Sequence, residues 1–219
     1  MGRNYGLIIF DIDGTFYKFK DRIENGGRII LPIRQEVLSR GIGFISRRLG
    51  VSEQEAARIS QDNIALYGSV GAGLERRFGV NIQEYFFAAW NVDPSKYMDP
   101  DPEMRGLISG IQQKKAVLTS SPSIWAGNVL GFFEIDDLFN GYWFGDHGTK
   151  KPNRVAYTQV LDGLQTPAER TVFVDDELAN LRPAKELGMT TVLVGDCVDP
   201  SVDYNVESVH EVPRLIKGL

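Results

Sequence analysis

Cysteine is nearly absent from this 219-residue chain: Cys197 stands alone, so no disulfide within the chain and no thiolate-built metal centre can form. Histidine is almost as scarce, with His147 and His210 the only two, too few ligands for a structural zinc site. Positive charge is not in excess. Lys and Arg number 24 against 29 Asp and Glu, a formal net charge of −5, which argues against a nucleic-acid polymer as partner because its phosphates are held by clustered cations. Long apolar runs are missing too. The first, Leu7–Phe10, is too short for a signal peptide or a membrane span, and Gly6 breaks the myristoylation pattern. The chain is expected to be cytoplasmic, with no membrane partner, and nothing in the pattern specifies an oligomeric state. At 42% hydrophobic and 24% charged, it has the composition of a globular protein, long enough for one large domain or a core with a smaller insert.

What is present is concentrated in Leu7–Thr15, where four apolar residues run into Asp11, Ile12, Asp13, Gly14 and Thr15. A buried strand ending in polar residues places them at the carboxyl edge of a sheet, where open α/β folds put their ligands. Two bare carboxylates at i and i+2 repel unless a proton or a cation intervenes, and Gly14 lets the chain turn away with φ of either sign.

Residues 16–31 read as mixed, with Gly26 and Gly27 as loop signals. From Pro32 the period is helical: Ile33, Val37, Leu38, Ile42, Ile45 and Leu49 share a face. Ser52 with Glu55, and Asn81 with Glu84, are helix starts, and the Tyr67–Gly73 stretch reads as a flexible break between them. Tyr85–Trp90 is read as an aromatic packing face. With no strand between about 32 and 91, this block is an inserted helical cap at 19–96, leaving 1–18 and 97–219 as the core. Pro102 then opens a helix toward Gln113. Strands are predicted at 116–118, 141–144, 171–174 and 190–194, with a short sixth at 206–209. Helices lie between, one from Pro152 through Leu164 with Tyr157 packing or capping, another from about 177 to 187 closed by Gly188. The fold class is α/β: a Rossmann-like parallel sheet with helices on both faces, plus an inserted all-helical cap.

Three strand ends carry polar groups: Asp11 and Asp13, then Thr119 and Ser120, then Asp175 and Asp176. Lys151 precedes a helix between the last two. In a parallel sheet these ends converge. Carboxylates at that density need a cation, and oxygen ligands favour a hard one such as Mg²⁺, which also accepts phosphate oxygens. The fitting chemistry is phosphoryl transfer to one carboxylate while a second moves protons, with a lysine and a hydroxyl on the equatorial oxygens. Simpler readings stand beside this one. Thr119 and Ser120 could cap the next helix, Asp175 and Asp176 could do likewise, Lys150 could replace Lys151, and His147 reads as a loop residue.

The motif Asp-Ile-Asp-Gly-Thr after an apolar strand resembles the first motif of the haloacid dehalogenase (HAD) superfamily, in its phosphatase branch. The resemblance covers nearly all of residues 6–195. It implies that Asp11 is nucleophile and metal ligand, and that Asp13 is general acid and base with its backbone carbonyl on the metal. It implies that Thr119, with Ser120, and Lys151, in its Lys-Pro context, bind the substrate phosphate. Asp175 and Asp176 match the acids of the fourth motif, with Asp176 the more direct ligand of Mg²⁺, and Asn180 has the potential to support them. Dehalogenases of the superfamily lack an acid two residues after the nucleophile, so Asp13 points to phosphate chemistry, and a helical cap implies a small phosphorylated metabolite.

Within that class, Asp-Ile-Asp-Gly-Thr-Phe-Tyr, Tyr67-Gly68, Phe139-Asn140-Gly141 and Val174-Asp175-Asp176 resemble pyrimidine 5′-nucleotidases. Gly14 and Ser120 stand where those enzymes often carry Asn. The resemblance thus implies a Mg²⁺-dependent phosphomonoesterase acting on a nucleoside 5′-monophosphate. The alternatives are a sugar-phosphate phosphatase or phosphomutase of the same fold, or a non-catalytic module that binds a phosphorylated ligand.

Overall fold

The structure, a computed structural model, describes residues 4–20, 23–25, 28–30, 32–146 and 149–219. His147, Gly26 and Gly27 lie outside the described residues. The chain divides into two compact units, Met1–Phe19 with Met98–Leu219, and Lys20–Tyr97. In chain order, β1 (Leu7–Phe10) belongs to the first. The second holds β2 (Ile23–Asn25), β3 (Arg28–Ile30), α1 (Pro32–Leu49), α2 (Glu53–Tyr67), α3 (Val70–Phe78) and α4 (Ile82–Trp90). The first unit resumes with α5 (Met104–Ser109), β4 (Lys114–Leu118), α6 (Ser123–Phe132), β5 (Gly141–Trp143) and α7 (Arg154–Leu164). It ends with β6 (Thr171–Asp175), α8 (Leu178–Glu186), β7 (Thr190–Val194), β8 (Tyr204–Val206) and α9 (Val212–Gly218).

The first unit is built on a six-stranded sheet ordered β5-β4-β1-β6-β7-β8, every neighbour parallel. Every residue of β1, β6 and β7 is buried, as expected for strands covered on both faces. Leu7 and Ile9 pack with Tyr157 of α7 and Leu181 of α8. The Phe10 ring instead stacks on Phe16 at 5.5 Å and meets Phe139 edge-on at 6.3 Å. Counted along the chain, the sheet runs third, second, first, fourth, fifth, sixth. The winding reverses between β1 and β6, the point at which open α/β sheets place their ligands beyond the strand ends.

The second unit is not all-helical, since β2 and β3 pair antiparallel within it. Its first helix boundaries follow the sequence signals: Ser52 and Asn81 cap α2 and α4 by accepting from Glu55 N and Gln83 N. The expected flexible break is instead α3, capped by Ser69. Its glycines are required by packing. A Cβ on Gly71 would lie 2.8 Å from Ile82 Cγ1, and one on Gly73 2.2 Å from Asn63 Cγ, so tertiary contact outweighs the poor helix propensity of glycine. On α1, Ile33, Val37 and Ile45 are buried but Leu38 is exposed, and in α4 Tyr85 and Phe86 are buried while Phe87 is exposed.

Two boundaries in the first unit also differ from expectation. The helix after Pro102 ends at Ser109, because Lys114 is already paired into the sheet through its N–H to Gly6 O. The last strand ends at Val206 rather than Val209, since Ser208 and Glu211 form a capping box that starts a short 3₁₀ turn. Among the described residues, no helix is long and apolar enough to cross a membrane.

Candidate active site

The site begins where β1 ends. Asp11 N donates to Val174 O at 2.9 Å, which sets Asp11 beside Asp175, the last residue of β6. Lys151, from the turn before α7, reaches both: its Nζ lies 2.8 Å from Asp11 Oδ1 and 2.5 Å from Asp175 Oδ2. All three residues are buried, whereas neighbouring Lys150 is exposed. Burial pushes the Asp11 carboxyl well above the carboxylate range, against the pull of Lys151, and Asp175 and Asp13 push the same way. Burial opposes the charge on Lys151 as well, but Asp11 and Asp175 outweigh it and hold the ammonium above the usual lysine range.

Asp175 is heavily engaged. Besides Lys151 it accepts from Glu177 N at 2.8 Å and from Asn180 Nδ2 at 3.0 and 3.2 Å. Asn180 is in turn fixed by the Tyr157 hydroxyl, which donates to its carbonyl at 2.7 Å. Tyr157 therefore packs, edge-on to Phe173, and also braces the site. Asp175 takes the N–H of Glu177, the residue before α8, as well as the lysine.

Asp176 is different. Its Oδ1 is buried without a hydrogen-bond partner, and a Cβ on Gly14, whose φ is +83°, would lie 2.0 Å from its Oδ2. Only glycine tolerates both that backbone and that approach. Asp11, Asp175 and Asp176 each offer a carboxylate oxygen, the three lying within 4.8 Å of one another. An orphaned buried oxygen among hard oxygen donors fits a hard cation. Asp175 already carries several hydrogen bonds, so Asp176 has the freer oxygen.

Burial, with Asp175 and Glu177, pushes the Asp176 carboxyl up to about 7. Between the ordinary carboxylate range and that value, the folded state keeps a proton that the unfolded chain releases. Without metal, Asp176 therefore costs stability as pH rises toward 7 and costs most above it, by no more than about 4 kcal/mol. Asp176→Asn is expected to raise the Tm of metal-free protein by several degrees at pH 8 and to change it little at pH 5. Equal shifts at both pH values would contradict this assignment, and saturating Mg²⁺ should narrow the pH 8 gap by stabilising the wild type.

Asp13 is held by uncharged donors instead. Its Oδ1 accepts from the Trp125 indole at 2.8 Å and from the Tyr17 hydroxyl, and its Oδ2 from the Ser121 hydroxyl. Burial and the nearby Asp13 carboxylate push the Tyr17 hydroxyl well above its usual pKa. Both side-chain oxygens of Asp13 are thus engaged by uncharged donors. Thr119 is buried, and its Oγ1 accepts from Ser121 N at 3.1 Å. Ser120 is exposed, and it is the next residue, Ser121, that reaches Asp13. Neither Thr119 nor Ser120 caps α6. That role falls to Asp146, which accepts from Ser123 N at 2.9 Å and from the Ser123 hydroxyl at 2.7 Å. Tyr17, Ser121, Trp125 and Asp146 are the residues the sequence reading passed over. Among them, only Tyr17, four residues after Asp13, carried a local cue.

Residues 5–188 match the haloacid dehalogenase-like hydrolases, and the chain belongs to that family of enzymes. "Phosphate metabolism protein 8" of Saccharomyces cerevisiae is 25% identical over 95% of the chain and 65% of its own length. A 5′-nucleotidase of Pseudomonas aeruginosa is 24% identical over 87% of the chain and 83% of its own length. The chain thus spans just under two thirds of the yeast relative. In fold, it resembles a HAD phosphatase of Thermococcus onnurineus, at 21% identity and a TM-score of 0.63 over 96% of this chain and 97% of that one.

Proposed function

We propose that this chain is a Mg²⁺-dependent phosphomonoester hydrolase that works through an aspartyl-phosphate on Asp11, with a nucleoside 5′-monophosphate as the preferred small substrate. The observation that carries this is the contrast between two carboxylates two residues apart. Asp11 is pinned against Lys151 inside the acidic cluster, while Asp13 rests on uncharged donors only. Environments that separate two acids so sharply suit one to attack and the other to move protons. Lys20–Tyr97, inserted between Asp13 and Thr119 in the chain, is read as a cap that restricts substrates to small metabolites.

Asp11, Asp176 and the Asp13 carbonyl would hold Mg²⁺, with Asp175 beside them, and the ion would neutralise phosphate oxygens and draw the substrate in. An Asp11 oxygen attacks phosphorus. The ester P–O bond breaks with its electron pair on the departing oxygen, and that oxygen takes the proton from Asp13. Lys151 and Thr119 balance the charge on the equatorial oxygens. The Asp13 carboxylate next takes a proton from a water whose oxygen attacks phosphorus. Phosphate leaves and Asp11 is regenerated.

Phosphate release from a panel of nucleotides and sugar phosphates tests this reading. Release should require Mg²⁺, stop on chelation, and be greatest for nucleoside 5′-monophosphates. Release that survives chelation would overturn the metal dependence, and a sugar phosphate at the head of the ranking would overturn the nucleotide preference.

A further inference from the structure

We infer that Tyr17 and Trp125 are positioning residues for Asp13: together they pin its Oδ1, so that Oδ2, on the Ser121 side, is the oxygen that hands the proton to the leaving group. This rests on the acid–base role proposed above for Asp13.

The argument is one of donors and acceptors. An indole N–H can only donate, so the oxygen facing Trp125 Nε1 at 2.8 Å is bound to act as acceptor. The Tyr17 hydroxyl reaches the same Oδ1, and two donors on one oxygen leave little room for a proton there. Ser121, on Oδ2, differs in kind, because a hydroxyl both donates and accepts and its hydrogen rotates freely. It can accept from a protonated Oδ2 or donate to an ionised one, and so tolerates both states of the transfer. The two donors on Oδ1 are themselves rigid. Trp125 and Tyr17 are buried, and the Tyr17 ring meets Phe19 at 4.9 Å and Phe133 at 6.1 Å. Trp125 sits in the first turn of α6, whose start is fixed by Asp146. Tyr17 comes from the turn after β1 that carries Asp13 itself, whereas Ser121 and Trp125 come from the segment after β4 and from α6, so the orientation of Asp13 is set by tertiary structure as well as by its own loop. A small error in placing a proton donor is costly in rate.

The consequence concerns departure of the leaving group, in which the ester P–O bond breaks with its electrons on oxygen and Asp13 supplies the proton. An alkoxide needs that proton, whereas p-nitrophenolate is stable without it. The test is kcat/KM for p-nitrophenyl phosphate against an alkyl phosphate, such as a nucleoside 5′-monophosphate, measured with Mg²⁺ on wild type, Tyr17→Phe, Trp125→Phe and Asp13→Asn. The constant kcat/KM covers steps only through departure of the leaving group, and any loss of folded enzyme cancels in the ratio of the two substrates. Asp13→Asn should shift the ratio toward p-nitrophenyl phosphate by about 10²-fold or more. Tyr17→Phe and Trp125→Phe should each shift it in the same direction by about tenfold. If Asp13→Asn shifts the ratio while Tyr17→Phe and Trp125→Phe both leave it within about twofold of wild type, the positioning role is overturned and the acid assignment stands. If Asp13→Asn does not move it, the acid assignment fails and the positioning role fails with it.

Discussion

Asp11→Asn is expected to lower kcat by about 10³-fold or more while leaving the protein folded and its KM within a few-fold of wild type. An amide cannot form the acyl phosphate, so the covalent route closes, and losses of this order are usual for a missing nucleophile. The fold should tolerate the change. Asp11 and Asp175 are two buried anions sharing one cation, Lys151, and removing one charge relieves their repulsion while Lys151 keeps its 2.5 Å contact with Asp175. Burial already works against the charge on Asp11, so a neutral isostere removes a desolvation cost. Acid quench during turnover should trap phosphate on the wild-type protein and none on the variant. A variant within tenfold of wild type would place the nucleophile elsewhere.

Lys151→Met should have the largest effect on stability. It leaves Asp11 and Asp175 facing each other with their shared cation gone, and breaking a buried pair by removing one partner costs about 3–5 kcal/mol. For a chain of this size that corresponds to a Tm lower by about 10 °C. The deficit should depend on pH in a definite sense. Burial raises the Asp11 carboxyl and Lys151 pulls it down, so without the lysine that carboxyl binds its proton more tightly still when folded, and acidification relieves the cost while raising the pH restores it. The gap between wild type and variant should therefore be smaller at pH 5 than at pH 7.5. Adding Asp175→Asn to Lys151→Met should recover part of the loss by removing one of the opposed charges. Coincident melting curves at pH 7.5 would show that Lys151 does not stabilise the carboxylates it touches.

The parts of this fold that could be read from sequence are those governed by local rules. The apolar run Leu7–Phe10 followed by Asp11, and Thr171–Val174 followed by Asp175 and Asp176, announce buried strands ending at a polar edge. Ser52 and Asn81 announce helix starts, and both cap as expected. The proline after Lys151 singles it out from Lys150, and Lys151 is the buried one, in contact with Asp11 and Asp175. What escaped is what depends on partners distant in the chain. The glycines of α3 suggest a loop until Ile82 and Asn63 are seen to require their smallness. Ser121 and Trp125 belong beside Asp13 although they are 108 and 112 residues away, and no periodicity links such positions. The end of β8 is a different case, because Ser208 and Glu211 carried a capping-box pattern that favours a turn at 209–211 over a strand.

The central place of β1 also governs how the molecule must be assembled. Its two neighbours, β4 and β6, pair with it through residues more than a hundred positions away, contacts of the kind that slow folding. On a growing chain, the Leu7–Phe10 strand keeps one open edge until Thr171–Asp175 has been made, and such an edge is a template for wrong pairing. A chain cut short before Thr171 would possess Asp11 and Lys151 but not Asp175. On the proposed mechanism, the full set of site carboxylates is assembled only once Thr171–Asp175 has paired with β1, so recovery of activity during refolding is expected to follow the closing of the sheet rather than the formation of any one helix.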